Sequence, residues 1–417
     1  MHGSFVVNKK TLIYYNLFLL LLVAPLITPY ISMFSAIDEA ITIIGIGIVC
    51  NNYILKKYIP GCKIFYLLIV IICIGVLSTV VYKIALLPIA AIYDFILLAK
   101  PFVIFLIFLS IPETVKKEIL QGLNGIAKVI FVFIFIYYIV YRTFGFFLMS
   151  NVFPILSNMA QVSWLRVVCL NIIAATNERK ITQKYIVIFY IGLFISGVGG
   201  FASALFASMT LYLYLYREDK ERKLHIWQII ILAGACFAFA YSDLQDYIFS
   251  GNAPRALLLR YGFVTAINYF PLGSGFASYG SEMAKRYYSK LYYEYGFDRI
   301  WSMSPEANRE GSNYGVTTLN DCYLGMIVGQ YGWIGFFCYI GIIYAIYKLL
   351  SRGQNNTYSK AALISTLITI LSSIMVSNNT SSFWGICMYA VMGLAVIPYK
   401  IIDEGQENDI IDSYTSI

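Results

Sequence analysis

Charge is what this sequence lacks. Only 12% of its 417 residues are Asp, Glu, Lys or Arg, and 59% are hydrophobic. Soluble domains carry roughly 25% charged residues, so a water-soluble globular enzyme is excluded. Histidine is nearly absent, with His2 and His225 alone, and no Asp-x-Asp pair occurs. Eight cysteines form no CxxC pair and no Cys/His cluster. Cys50, Cys62, Cys73, Cys169, Cys236, Cys338 and Cys387 fall in or beside apolar runs, and only Cys322 lies in a long polar stretch. No disulfide framework is implied. There is no internal repeat, no low-complexity tract, and no inverted pair of broken helices of the kind found in many secondary transporters.

Long apolar runs are abundant. A membrane-spanning helix needs about 20 apolar residues, and runs ending at charge or turn clusters predict helices at 11–28, 40–54, 64–81, 92–111, 126–141 and 159–175. The stretch 185–216 would extend about 48 Å as one helix, against a hydrocarbon core of about 30 Å. Gly197, Gly199 and Gly200 divide it into two short crossings. Runs at 226–241, 334–350, 361–376 and 383–396 follow. The expectation is an all-α polytopic membrane protein with about 12 transmembrane helices. The first run lacks a small-residue cleavage site, so it reads as a retained helix and not a removed signal peptide.

The net charge of +8 marks topology. With both termini cytoplasmic, the inner segments collect 19 Lys and Arg residues while the short outer loops hold only Lys83 and Arg142, as the positive-inside rule requires. The glycine split is needed for this pattern. Nine helices are then expected within 1–241, a large outward loop at 242–331, three helices within 332–400 and a cytoplasmic tail at 401–417. The loop holds seven Lys/Arg, eight Asp/Glu and 12 of the 36 tyrosines. It is nearly neutral, so no nucleic-acid partner is expected.

Within the loop, Asn252 before Pro254 signals a helix start, and Pro271 with its following glycines signals a stop. The residues between, Arg255 to Ile267, read as an amphipathic helix able to lie on a membrane surface. Arg255 and Arg260 are five residues apart, about 140° around a helix, so they do not share a face. One is free to grip a ligand while the other ties down the loop. A glycine-rich turn beside basic residues can offer backbone N–H groups to a phosphate, but Gly273 and Gly275 stand in neither a GxGxxG nor a GKS/T pattern.

Three segments together carry a resemblance. They are Pro271-Leu-Gly273-Ser-Gly275-Phe276-Ala-Ser-Tyr279-Gly-Ser281, then Tyr288-Ser289-Lys290-Leu291-Tyr292-Tyr293-Glu294-Tyr295-Gly296, then Asp321 and Gly329-Gln-Tyr-Gly332-Trp-Ile-Gly335. With a dozen helices and one dominant late loop, the chain resembles the Wzy-type O-antigen polymerases of the O-antigen polymerase/ligase family. Two departures stand out. Ser196 is followed by Gly197 where family members often have a Ser-Arg step, and Gln330 stands where many have Glu.

The resemblance implies a glycosyltransferase of lipopolysaccharide biosynthesis in a Gram-negative inner membrane. It transfers an undecaprenyl-diphosphate-linked glycan to a hydroxyl of another lipid-linked repeat unit on the periplasmic side. Diphosphate is already a good leaving group, so the site needs cations to hold it and a base for the hydroxyl. Neither a metal nor another cofactor is expected. The partners implied are the undecaprenyl-diphosphate-linked oligosaccharide, membrane lipid and a separate chain-length regulator.

Candidate site residues follow. Arg166 sits within an apolar span, where a charge costs roughly 2.5–3.5 kcal/mol. It is read either as a substrate contact or as half of a structural pair with Asp94. Asp94 and Lys100 share the fourth span and either act on substrate or pair with neighbours. Arg255 and Arg260 bind substrate or lipid headgroups. Asp321 is the base or the cap of the following helix, with Arg260 as its catalytic partner. Gly273, Gly275, Tyr279, Tyr288 and Tyr292 complete the substrate-binding set, although membrane-interface belts explain most tyrosines in such proteins. Glu282, Glu294 and Lys285 are further candidates. The rival functions are an O-antigen ligase and a lipid-linked oligosaccharide flippase. Ligases often carry a His-x-x-Asn motif where this chain reads Thr317-Thr318-Leu319-Asn320. A flippase would line many spans with ionisable groups.

Overall fold

A computed structural model describes residues 9–27, 37–54, 61–144, 159–177, 179–196, 253–307, 319–352, 357–374 and 382–396. The glycine-divided stretch after Ser196, the run at 226–241, Asn252, Thr317 and Thr318, and both termini lie outside them. The described residues contain no strand.

Thirteen α-helices are described. They are α1 (Lys9–Ile27), α2 (Ile37–Ile54), α3 (Cys62–Tyr82), α4 (Pro88–Leu109), α5 (Glu113–Phe144), α6 (Met159–Thr176) and α7 (Arg179–Ser196), then α8 (Pro254–Asn268), α9 (Glu282–Arg286), α10 (Lys290–Glu294), α11 (Tyr323–Arg352), α12 (Thr357–Ile374) and α13 (Phe383–Ala395). Cys62–Tyr82, Pro88–Leu109, Glu113–Val140 and Tyr323–Ser351 are long and apolar enough to cross a membrane. Large apolar side chains on α2, α3, α5 and α11 remain exposed, including Ile44, Val80, Val129 and Phe337. So extensive an apolar surface suits lipid and not water. The described residues are all-helical, with four helices fit to cross a membrane.

Two helices begin more than ten residues before the sequence reading placed them. α5 begins at Glu113 and not near 126, because its charged first turns hide it from hydropathy. α11 begins at Tyr323, so the final residues assigned to the loop belong to a helix interrupted at Gly332.

α4 and α13 form the centre. Residues 98–109 of α4 and 384–395 of α13 are buried without a break. They approach closely because Gly393 has no side chain; a Cβ there would sit 2.6 Å from the Phe105 carbonyl oxygen. Small residues allow such contact where lipid supplies no hydrophobic drive. Asn171 of α6 donates to Thr366 Oγ1 of α12 at 2.7 Å, a polar tie of the same kind.

The buried charges are compensated locally. Lys100 Nζ lies 2.7 Å from both Asp38 Oδ2 and Glu39 Oε1, which joins α4 to the start of α2. Tyr93 adds a hydroxyl bond to Glu39 at 3.2 Å. Of the two readings of Lys100, pairing with neighbours is the one observed. Lys116 is 1% exposed and donates to the Val396 carbonyl at 2.9 Å, placing a hydrogen-bond donor at the C-terminal end of α13. Lys116→Met is expected to lower stability by about 1–2 kcal/mol, read as a lower thermal midpoint in detergent with insertion unchanged.

Candidate functional site

The segment after Ala253 folds onto the ends of α3, α4 and α11. α8 starts at Pro254, where proline's fixed φ suits the first helical turn, with Ala253 extended before it. Its Gly262 meets Gly325 of α11 so closely that a Cβ would lie 2.6 Å from the Gly325 carbonyl oxygen. α8 is thus docked on another helix along its small-residue face. Arg260 stays exposed on the outside.

The Pro271–Ser281 turn is a plug. Gly273 (φ 78) and Gly275 (φ 91) occupy left-handed conformations, and the backbone of Gly332 and of Thr79 fills the space where their side chains would be. Their amides are occupied, Gly273 N donating to Tyr269 O and Gly275 N to Gln330 O, both at 2.9 Å. Ser274 N reaches Gly329 O at 2.9 Å. These carbonyls face the plug where the kink at Gly332 interrupts α11. From α3, Thr79 Oγ1 accepts from Phe276 N at 2.8 Å and Ser78 donates to Leu272 O at 3.1 Å. Gly273 and Gly275 therefore lock the segment in place, and their N–H groups are not turned toward a phosphate.

The tyrosines are also internal. Tyr279 is fully buried and its hydroxyl donates to Leu258 O at 2.7 Å. Tyr292 is equally buried, accepting from Gly280 N at 2.9 Å and donating to Leu319 O at 3.4 Å. Burial pushes both phenols upward in pKa, so they stay neutral. Tyr288 (φ 47) is buried against the Tyr292 and Tyr293 rings. Tyr279, Tyr288 and Tyr292, expected to bind substrate, thus pack their rings inside the segment.

Arg166 is 1% exposed and lies among the rings of Phe131, Tyr138 and Phe189, 5.8, 5.1 and 4.7 Å from their centroids. It donates to the Phe189 carbonyl. Gly192 makes room, since a Cβ there would lie 2.7 Å from the guanidinium. The pairing with Asp94 is not formed. Asp94 instead accepts Ala277 N at 2.7 Å, so the two groups belong to different neighbourhoods.

What the fold brings together is a half-exposed polar cluster. Arg255 Nη2 meets Asp321 Oδ2 at 3.1 Å, linking the first turn of α8 to the approach to α11. Asn320 donates to Glu282 Oε2 from the next position. Lys285 stands 3.9 Å from Glu282 and within electrostatic reach of Asp321. Burial raises the Asp321 carboxyl above its ordinary range, while Arg255 and Lys285 pull the other way. The cap position of α11 belongs to Cys322, whose Sγ accepts from Gly325 N at 3.4 Å, which leaves the Asp321 carboxylate to Arg255. Two carboxylates and two cations thus share one patch, a combination able to take a proton and hold an anion.

Neither the protein-family models nor the curated proteins searched match this chain.

Sequence reading named Arg255 and Asp321 but not their bond, and passed over Asn320, Asp38 and Glu39. A signal existed for the last two. A lysine inside an apolar span demands a partner, and an adjacent Asp-Glu pair opens α2. Among the described residues no three His, Cys, Asp or Glu side chains gather in a way that could hold a metal.

Proposed function

We propose that this chain is an O-antigen polymerase, lengthening a lipid-linked glycan on the periplasmic face of a Gram-negative inner membrane. In this reading about twelve spans cross the membrane, both termini are cytoplasmic, and the segment around α8–α10 faces the periplasm. The observation that carries the reading is the Arg255–Asp321 pair with Lys285, Glu282 and Asn320 beside it. The sequence resemblance over the Pro271–Gly296 and Asp321–Gly335 segments supports it.

The reaction joins the acceptor sugar hydroxyl to the donor's anomeric carbon. The anomeric carbon–phosphate oxygen bond breaks, and undecaprenyl diphosphate leaves with the electron pair. Asp321 accepts the hydroxyl proton, with Arg255 fixing the orientation of its carboxylate. Exposed Arg260 makes no ion pair among the described residues and holds the diphosphate, whose growing charge it offsets. Arg166, enclosed by rings, serves the packing of α5, α6 and α7 in this scheme. A separate chain-length regulator is the expected protein partner.

Deleting the gene and examining lipopolysaccharide on a gel tests this. The expected result is core bearing a single repeat unit, with long chains restored by the wild-type gene. Complete loss of any repeat unit would point to a ligase or flippase, and an unchanged ladder would remove the reading.

A further inference from the structure

Asp94 lies near the start of α4 and is 3% exposed, with no Lys or Arg at ion-pair distance among the described residues. A carboxylate so placed must be held by hydrogen-bond donors. Its polar neighbours come from the segment after Ala253 and from α11. Ala277 N donates to it at 2.7 Å, and the side chains of Ser281 and Gln330 lie beside it. Gln330 is itself fully buried, and its Nε2 also donates to Tyr279 O at 2.9 Å.

Ser281 has a second task. It caps α9, its Oγ accepting from Ala284 N at 3.2 Å. The next residue is Glu282, and Lys285 follows one turn later. One carboxylate on α4 therefore holds residue 277 and lies beside Ser281, while Gln330 grips 279 from α11, and α9 springs from the held end.

We propose that Asp94 and Gln330 form a latch that positions Glu282 and Lys285 in the polar cluster, Asp94 being a positioning residue that touches no substrate. The assignment of that cluster to glycan transfer rests on the function proposed above; the latch itself does not. The pair works because one member is an anion and the other an amide. A carboxylate at 330 would confront Asp94, with the Glu282 carboxylate already within electrostatic reach. The same logic predicts that the two positions can exchange character. After Asp94→Asn the amide oxygen would still accept from Ala277 N, and the amide nitrogen could donate to a carboxylate at 330.

The test uses the full-length chain in the deletion strain, with lipopolysaccharide length and inserted protein measured together, and tryptic digestion of the purified protein in detergent. Gln330→Glu is expected to lower long-chain output per inserted protein by at least about tenfold and to open cleavage at Lys285, Arg286 and Lys290. Asp94→Asn should lower it by about threefold. The double variant should return to within about threefold of wild type and regain trypsin resistance.

A double variant no better than Gln330→Glu would overturn the latch. So would a Gln330→Glu output that falls only in proportion to inserted protein, since that is packing alone. If wild type restores no long chains, the functional reading fails by itself, and the trypsin comparison still decides the latch.

Discussion

Asp321→Asn is expected to slow glycan transfer by about 10²–10⁴-fold, with insertion and the docking of the segment retained. Asparagine keeps an oxygen for Arg255 Nη2, so the 3.1 Å contact has an acceptor in both forms. What is lost is the capacity to take a proton. The pH dependence gives a second handle. Burial holds the Asp321 carboxyl above the ordinary aspartate value of about 3.9, so activity falls as pH drops through that raised value, and Asp321→Asn abolishes this acidic limb. Stability moves in the opposite sense. The folded protein keeps this proton to higher pH than the unfolded chain, so the contribution is present at low pH and is lost as pH rises through the raised value. Transfer assays and thermal midpoints across pH separate the two. A variant with wild-type turnover would leave Glu282 as the carboxylate to consider.

Gly332→Ala is the second large effect. Gly332 has φ 59 and ψ −161, a region essentially restricted to glycine, and a Cβ there would run into Pro271 O and lie 2.5 Å from Gly273 N. Both obstructions are backbone atoms of the plug, so no side chain can turn aside. The expected cost exceeds about 3 kcal/mol. Since the kink is where Ser274 and Gly275 bond to α11, the loss should fall on the segment carrying Arg255, Glu282 and Lys285. Trypsin should then cut at Lys285, Arg286, Lys290 and Arg299 in the purified variant. Gly125→Ala is the control, because nothing lies within 4 Å of the added carbon and the site is helical. Equal behaviour of the two variants would show that the kink does not hold the segment.

Helices and buried charges were the legible part. Apolar runs mark α1, α3 and α4 because lipid-facing and core-facing residues are both apolar in a membrane helix. Pro254 marks the start of α8 because its ring fits only a first turn. Lys100 declares a buried partner for the same energetic reason that makes it rare. The roles of Gly273, Tyr279 and Tyr292 were not legible. Glycine in a turn serves a close ligand or a close backbone equally well, and here Gly332 is the close backbone. A tyrosine hydroxyl can face a sugar or be satisfied inside, and Leu258 O and Gly280 N satisfy these two.

Long-range pairings were hidden for a different reason. Asn320 with Glu282, and Asp94 with Ala277, are separated by 38 and 183 positions in the chain. Periodicity and spacing report only on neighbours within a helix or strand. The Gly332 kink was hidden too, since its sequence, Gln-Tyr-Gly-Trp, reads as the edge of an apolar run and not as a break within a helix. Placing the start of α11 near 334 followed from that.

The most direct test of the proposed chemistry is elongation by the purified full-length protein in proteoliposomes supplied with an undecaprenyl-diphosphate-linked repeat unit as the sole glycan. The expected result is a ladder of lipid-linked chains, with one undecaprenyl diphosphate released per repeat added. Unchanged single repeats from protein that is folded and trypsin-resistant would contradict it.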